Sequence, residues 1–270
     1  NFFKKSDEVI DISITPNRSD CLGINGIARD LSAYGLGKLI EKKKVKLKEQ
    51  SKQKVKVEIK KNSGCNTFGS LSIEGIKNCE SPKWLKKDLE SLGLKPISAV
   101  VDVTNYVMFD LNRPMHAYDS DKINGNIIVR QSKVGESFEA LDDKKYNVPK
   151  EACLITDQKK ILGLGGIIGG QSSAIDHDTK NIVLEAAAFD PVKIAKTSKQ
   201  LGIITDAKFR FERGVDPNSI EDGLKLAAKL IQEICGGKIS KINVVGNTRF
   251  KNIKIKFDIN NFEKLIGFPV

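Results

Sequence analysis

An α+β fold is predicted for this 270-residue chain. Three observations predict it. Strand-like runs and amphipathic helical stripes both occur, without the regular strand–helix–strand alternation of a parallel α/β sheet. No internal repeat or low-complexity tract appears. With 40% hydrophobic residues there is material for a sizeable core, and the length fits two domains, or one large domain with partial neighbours.

The elements follow in order. Ile10–Ile14 alternates as a short strand, and Thr15-Pro-Asn-Arg18 makes a turn. A helix is expected next, its apolar stripe formed by Leu22, Ile24, Ile27, Ala28, Leu31 and Tyr34 and its end marked by Gly35. Lysine dominates Glu41 to Lys61, a solvated linker that enters a strand over 55–59. A second strand is expected over Gly69–Ile76. Ser81-Pro82 then opens a helix, serine capping and proline at its first position, with Trp84, Leu85, Leu89 and Leu92 inward and Gly93 as the stop. Val101, Val103 and Val107 alternate as in a strand. Further strands are expected over 126–131, 137–141, 152–157, 161–168 and 181–189. A helix follows Asp190-Pro191. Asp216-Pro217 opens the last long helix, with stripe Ile220, Leu224, Ala227, Ile231 and Ile234, closed by Gly236-Gly237. From Lys241 a strand-like segment leads to a short helix over 260–266.

Composition narrows the function. No window approaches about eighteen uncharged apolar residues, so no membrane span is expected. The first residues, Asn1 to Asp7, hold no initiator Met and no signal-peptide core, and Leu265–Val270 stops within an apolar segment. Both ends read as cuts through a longer polypeptide. Five dispersed cysteines, none in a Cys-x-x-Cys pair, argue for reduced cytoplasmic thiols and against a metal site. The net charge of +11 favours an anionic partner such as nucleic acid, although a general lysine bias explains it equally well.

Candidate sites are few. Thr104, Asn105 and His116 interrupt an apolar run with hydrogen-bonding groups, and His116 is one of only two histidines. It reads either as structural or as an acid, base or donor of near-neutral pKa. His177, in a polar turn, is given no role. Gly163-Leu-Gly-Gly-Ile-Ile-Gly-Gly170 fails as a dinucleotide fingerprint, since residue 168 is Ile168, and as a P-loop for want of Gly-Lys-Ser/Thr. Such glycines permit either a tight bend or close approach of a ligand to backbone. Glu185 stands in an apolar strand. Alternation favours an outward orientation; facing inward, its carboxylate needs a partner. Arg210, Glu212, Arg213 and Asp216 read as a salt-bridge lattice before the long helix, or as guanidinium forks for phosphate.

Six motifs occur in one order: Ile14-Thr-Pro-Asn-Arg-Ser-Asp20, Ser81-Pro-Lys-Trp-Leu85, Val101-Asp-Val-Thr-Asn-Tyr-Val-Met108, Pro114-Met-His-Ala-Tyr-Asp119, Gly166-Ile-Ile-Gly-Gly170 and Arg210-Phe-Glu-Arg-Gly-Val-Asp-Pro217. Together they closely resemble the beta subunit of bacterial phenylalanyl-tRNA synthetase, from about residue 9 onward. The resemblance implies a mixed-sheet domain that hydrolyses tyrosine wrongly esterified to tRNA(Phe). It implies the tail of an N-terminal domain over 1–44, the editing domain over 45–240 and the start of the next domain over 241–270. Thr104, Asn105 and His116 map to the catalytic pocket. Gly166, Gly169, Gly170, Glu185, Thr205 and Ala207 map to substrate binding, Glu185 as acceptor for the tyrosine hydroxyl, which the resemblance turns inward against the alternation. Ser98-Ala99 and Asn112-Arg113 replace the family's usual Asn-Asn and Gly-Gln, and Lys208 stands where serine is common. No metal or cofactor is expected in this stretch. ATP and Mg belong, by resemblance, to a parent alpha2beta2 heterotetramer with an alpha subunit and tRNA(Phe) as partners. A non-catalytic tRNA-binding and subunit-bridging module with an inactive pocket is the alternative.

Overall fold

The computed structural model describes residues 9–40, 45–247 and 254–269. Residues 1–8 and 270, the start of the lysine-rich linker (41–44) and part of the segment expected as a strand after Lys241 (248–253) lie outside the described residues.

The first forty residues hold less regular structure than expected. The strand expected over Ile10–Ile14 does not form, and Ile10 is 82% exposed. A 3-10 helix (Pro16–Leu22) precedes α1 (Ile24–Ala33). Ile24, Leu31 and Tyr34, expected inside, are exposed. β1 (Val57–Ile59) leads into β2 (Cys65–Glu74), which starts before Gly69 because Cys65, Thr67 and Phe68 also pair with the strand over 181–189. α2 (Lys83–Ser91) forms where expected but starts one residue later: Pro82 is the cap and not the first helical residue, and the Ser81 hydroxyl donates to Asp102 Oδ2 at 2.6 Å instead of capping.

The expected strand through Val101, Val103 and Val107 is instead a helix, α3 (Ala99–Leu111). A four-residue interval satisfies both the strand and the helix period, so Val103 and Val107 fit either. The decision comes from Ala99 and Val100, fully buried, while Val101 is partly exposed. Asn112 closes α3 in the left-handed region, at φ 52°, a conformation asparagine tolerates better than most residues.

β3 (His116–Asp119), which the sequence did not announce, is followed by β4 (Ile127–Gln131), the hairpin β5 (Ser137–Glu139) and β6 (Lys145–Asn147), and β7 (Cys153–Thr156). The single strand expected over 161–168 is split into β8 (Ile161–Leu164) and β9 (Ile168–Gly169), with Gly166 at φ 70° in the turn between them. β10 (Asn181–Phe189) ends at Asp190, whose carboxylate accepts from the amides of Val192 and Lys193 and starts α4 (Pro191–Leu201). α5 (Asp206–Phe211) turns the charge-dense segment into a helix capped by Thr205. α6 (Ile220–Cys235), β11 (Lys238–Ile239), β12 (Asn243–Gly246) and α7 (Ile259–Ile266) complete the chain. β11 and β12 lie on either side of residue 240, and both pair with β2.

The architecture is mixed α+β. One sheet has the order β11-β2-β10-β3, with β12 also on β2; a second has the order β1-β4-β7-β8-β9. Two apolar cores lie on opposite faces of the first sheet. Ile182, Leu184, Ala186 and Ala188 of β10 face α3 and α6. Val183, Ala187 and Phe189 face the second sheet, with Phe68, Leu154 and Leu162. Both faces of β10 are therefore covered, which explains a run too apolar to reveal its orientation.

Candidate functional site

The face of β10 that carries Val183 and Ala187 also carries Glu185. Strand alternation thus puts this carboxylate between the two sheets, 6% exposed. It lines a cavity of about 90 Å³ whose other walls are His116 and Tyr118 of β3, the β8–β9 turn from Gly163 to Gly169, and Ala207 and Phe211 of α5. The expectation that alternation would turn Glu185 to solvent fails because no side of this strand faces solvent.

A lone buried carboxylate is costly, and Glu185 has one close partner: the Tyr118 hydroxyl donates to Oε2. Burial lifts the Glu185 carboxyl from 4.5 to about 7, and the Tyr118 hydrogen bond opposes that rise. Tyr118 itself is pushed well above 10 by burial and by the neighbouring carboxylate. Two thiols, Cys65 and Cys153, lie in the same core and are raised chiefly by burial, which leaves them protonated and apolar in character.

His116 pairs in register with Glu185 across β3 and β10. Its ring packs edge-on against Tyr118 at 4.5 Å between centroids. Nε2 is sealed from solvent without a hydrogen-bond partner among the described residues. Burial lowers its pKa to about 4, so the imidazole is neutral at physiological pH. Gly169 brings backbone directly against this ring: a Cβ there would lie 2.5 Å from His116 Cε1 and 2.9 Å from Nε2. Glycine at 169 is a steric requirement for the present position of His116.

The predicted residues do not all converge. His116, Gly166, Gly169, Glu185 and Ala207 line the cavity. Thr205 stands just behind, donating to the Ile167 carbonyl at 2.8 Å and accepting from the Lys208 amide at 3.1 Å, so it ties α5 to the glycine turn. Gly170 points its amide away, to the Leu162 carbonyl at 2.7 Å. Thr104 and Asn105 are not among the lining residues. They sit on α3, in the helical layer, where the Thr104 hydroxyl bonds back to Val101 O at 2.6 Å. That placement follows from α3 being a helix and not the strand that would have run into the pocket.

The charged segment resolves into local pairs. Arg213 meets Glu212 at 2.7 Å and Lys208 meets Glu212 at 2.8 Å, while Arg210 meets Asp206 at 3.2 Å and stacks over Phe109. Asp216 takes no part in that lattice; its carboxylate accepts from the Asn218 amide at 2.9 Å. Sequence reading missed Arg113, which is fully buried. Its Nε donates to Ser219 Oγ at 2.9 Å, Nη1 to Ala187 O at 2.7 Å, and Nη2 to Asp216 O. It also missed Tyr118, whose only signal is its spacing, two residues from His116 on one strand face.

Among the described residues, Asp20, Cys21 and Asp30 are close enough to suggest a cation site. Arg18 and Arg29 already neutralise both carboxylates, Arg18 reaching Asp30 at 2.5 Å. A wider groove of about 970 Å³ crosses the face carrying Ile128, Arg130 and Thr156, and there Arg130 pairs with Glu136 at 2.6 Å. No helix among the described residues is long and apolar enough to cross a membrane.

Comparison with known proteins gives this geometry a family. Residues 64–236 match the B3/4 domain. The phenylalanine–tRNA ligase beta subunit of Mesorhizobium japonicum is 42% identical over 98% of the chain. That of Brucella melitensis is 41% identical over the same share, and that of Rhodopseudomonas palustris 42%. The chain spans about a third of the length of these relatives (33%). An N-terminal fragment of the phenylalanyl-tRNA synthetase beta subunit from Pyrococcus horikoshii aligns over 96% of this chain and 72% of its own, at a TM-score of 0.48 and 16% identity, a likeness too distant to add to the assignment. The chain belongs to the B3/4 domain family, and over nearly its whole length it is similar to bacterial phenylalanine–tRNA ligase beta subunits.

Proposed function

We propose that this domain is the editing part of a phenylalanine–tRNA ligase beta subunit and hydrolyses tyrosine esterified to tRNA(Phe). One observation carries the reading: a buried carboxylate, Glu185, on a cavity wall, already accepting a hydrogen bond from a phenol. A pocket built for phenylalanine rejects the hydroxylated analogue only about a hundredfold, whereas a site built to bond that hydroxyl rejects the analogue without it by about ten-thousandfold. Correct phenylalanine would leave Glu185 without its second donor.

In the reaction, water attacks the ester carbonyl, the bond to the ribose oxygen breaks, and that oxygen takes up the proton. A histidine that titrates at about 4 is a weak base at neutral pH, so His116 orients the ester or the water and does not abstract a full proton. The amides of Ile167 and Gly170 are bonded to Leu164 O and Leu162 O, which narrows oxyanion support to the rest of the turn, Gly166 foremost. Thr104 and Asn105 keep an orienting role only by resemblance. The alpha subunit and tRNA(Phe) are the partners, in an alpha2beta2 assembly in the cytoplasm. ATP and Mg serve activation on the alpha subunit. The extents 1–44, 45–240 and 241–270 remain the proposed division.

The test is tyrosine release from tyrosyl-tRNA(Phe) by the full-length beta subunit assembled with its alpha partner. Rapid release with phenylalanyl-tRNA(Phe) spared is expected. Equal persistence of the two esters would leave a tRNA-binding module with an inactive pocket. Gly169→Ala should reduce release about ten- to a hundredfold by displacing His116, since misplacement on the order of 1 Å has that effect. Rates equal to the parent's would remove His116 from the mechanism.

A further inference from the structure

Beyond its place in the cavity wall, Tyr118 has a geometry that assigns it a task. It is 2% exposed, lies two residues from His116 on the same face of β3, and donates its hydroxyl to Glu185. An ionised carboxylate offers about four lone-pair positions on two oxygens. The Tyr118 phenol fills one and leaves acceptor capacity for a second donor. We propose that Tyr118 is a positioning residue that holds Glu185 ionised and aimed into the cavity, so that its phenol sets the pH range over which the site accepts a substrate hydroxyl; this rests on the editing reading above.

The surroundings make the phenol the decisive influence. On β3, His116 faces Glu185 as a neutral ring. On β2, Ser70 pairs with it in register and has its hydroxyl engaged by Gln53 Nε2 at 2.6 Å. Cys65 of β2 and Cys153 of β7 are protonated thiols in the same core. From α5 come Ala207 and Phe211, both apolar. None of these carries a positive charge at neutral pH. Among the described residues only the Tyr118 hydroxyl favours the ionised carboxylate against burial, and it does so without charge of its own. Its hydrogen bond also limits the rotation of the carboxylate, which is what alignment with an incoming phenol requires.

The experiment follows tyrosine release from tyrosyl-tRNA(Phe) as a function of pH in the assembled full-length enzyme, for the parent, Tyr118→Phe, Glu185→Gln and the double variant. In the parent, activity should rise with pH through a limb centred at about 7. Tyr118→Phe removes one oxygen atom and should move that limb up by about one pH unit, and the lost aim of the carboxylate should lower the alkaline plateau by about three- to tenfold. Glu185→Gln should abolish the limb, and adding Tyr118→Phe to it should change nothing further. A Tyr118→Phe limb that coincides with the parent's, while Glu185→Gln still abolishes it, overturns this role and leaves the editing reading standing. A uniform loss at every pH in Tyr118→Phe, with the limb unmoved, marks a structural residue and also overturns it. Absence of tyrosine release in the parent overturns the editing reading itself, whereas full release by Glu185→Gln removes Glu185 from recognition and, with it, this role of Tyr118.

Discussion

Replacing Glu185 by alanine in the assembled enzyme should slow tyrosine release from tyrosyl-tRNA(Phe) by about ten- to a hundredfold, since a hydrogen bond to a charged acceptor is worth about 1.5–3 kcal/mol. Release from phenylalanyl-tRNA(Phe), which uses no such bond, should change little. Retention of parental tyrosine release would remove the recognition role. The same residue has a signature in stability. Its folded carboxyl titrates at about 7, against 4.5 when exposed, so between those values the folded chain holds a proton that the unfolded chain has released. Stability from this group is present below 4.5 and is lost as pH rises to about 7. The loss is on the order of 3 kcal/mol. Glu185→Gln removes that dependence, so its thermal midpoint relative to the parent should climb across this window. A difference that stays flat with pH would mean that the carboxyl is not buried as described.

Arg113→Met should be the most destabilising of the substitutions considered. Arg113 is wholly buried; burial lowers its pKa to about 10, the nearby Asp216 carboxylate opposes that fall, and the guanidinium stays charged. Its donors hold Ala187 on β10 and Asp216 and Ser219 before α6. β3 pairs with β10 only from Ile182 to Glu185, so the Ala187 carbonyl lies beyond that ladder, and Arg113 serves it instead. Methionine keeps the stem and leaves these acceptors without donors. At about 1 kcal/mol or more for each, the loss is about 3 kcal/mol, or roughly 6–12 °C in thermal midpoint. Arg113→Lys should not restore it, because an ammonium cannot reproduce the planar fork. A midpoint within about 2 °C of the parent's would contradict this account.

Much of the architecture was legible in sequence. β10, α2, α4 and α6 carry clean apolar patterns with proline or glycine at their ends, and each formed close to its expected place. α3 was misread because Val103 and Val107 satisfy both periods, and its valine-rich run has strand propensity that packing against α6 overrides. β3 was missed because four residues after a proline give too little pattern. At the site, the glycine turn and Glu185 are located by motif, and the inward orientation of Glu185 follows from the resemblance, not from its alternation. Alternation assumes one wet face, and β10 has none. Arg113 and Tyr118 were invisible because their roles depend on partners 67 or more residues away.

The pairing of β2 bears on how this protein is made. One edge of β2 meets β10; the other is covered only by β11 and β12, near the end of the described domain. A chain emerging from the ribosome would present every residue that lines the cavity once Phe211 is out, yet its β2 would still offer an open row of amides and carbonyls until Lys238–Ile239 and Asn243–Gly246 followed. During that interval the nascent protein has every lining residue of the cavity, with its most adhesive edge uncovered. Expression lengths that stop before 238 should therefore give aggregates instead of a smaller working domain.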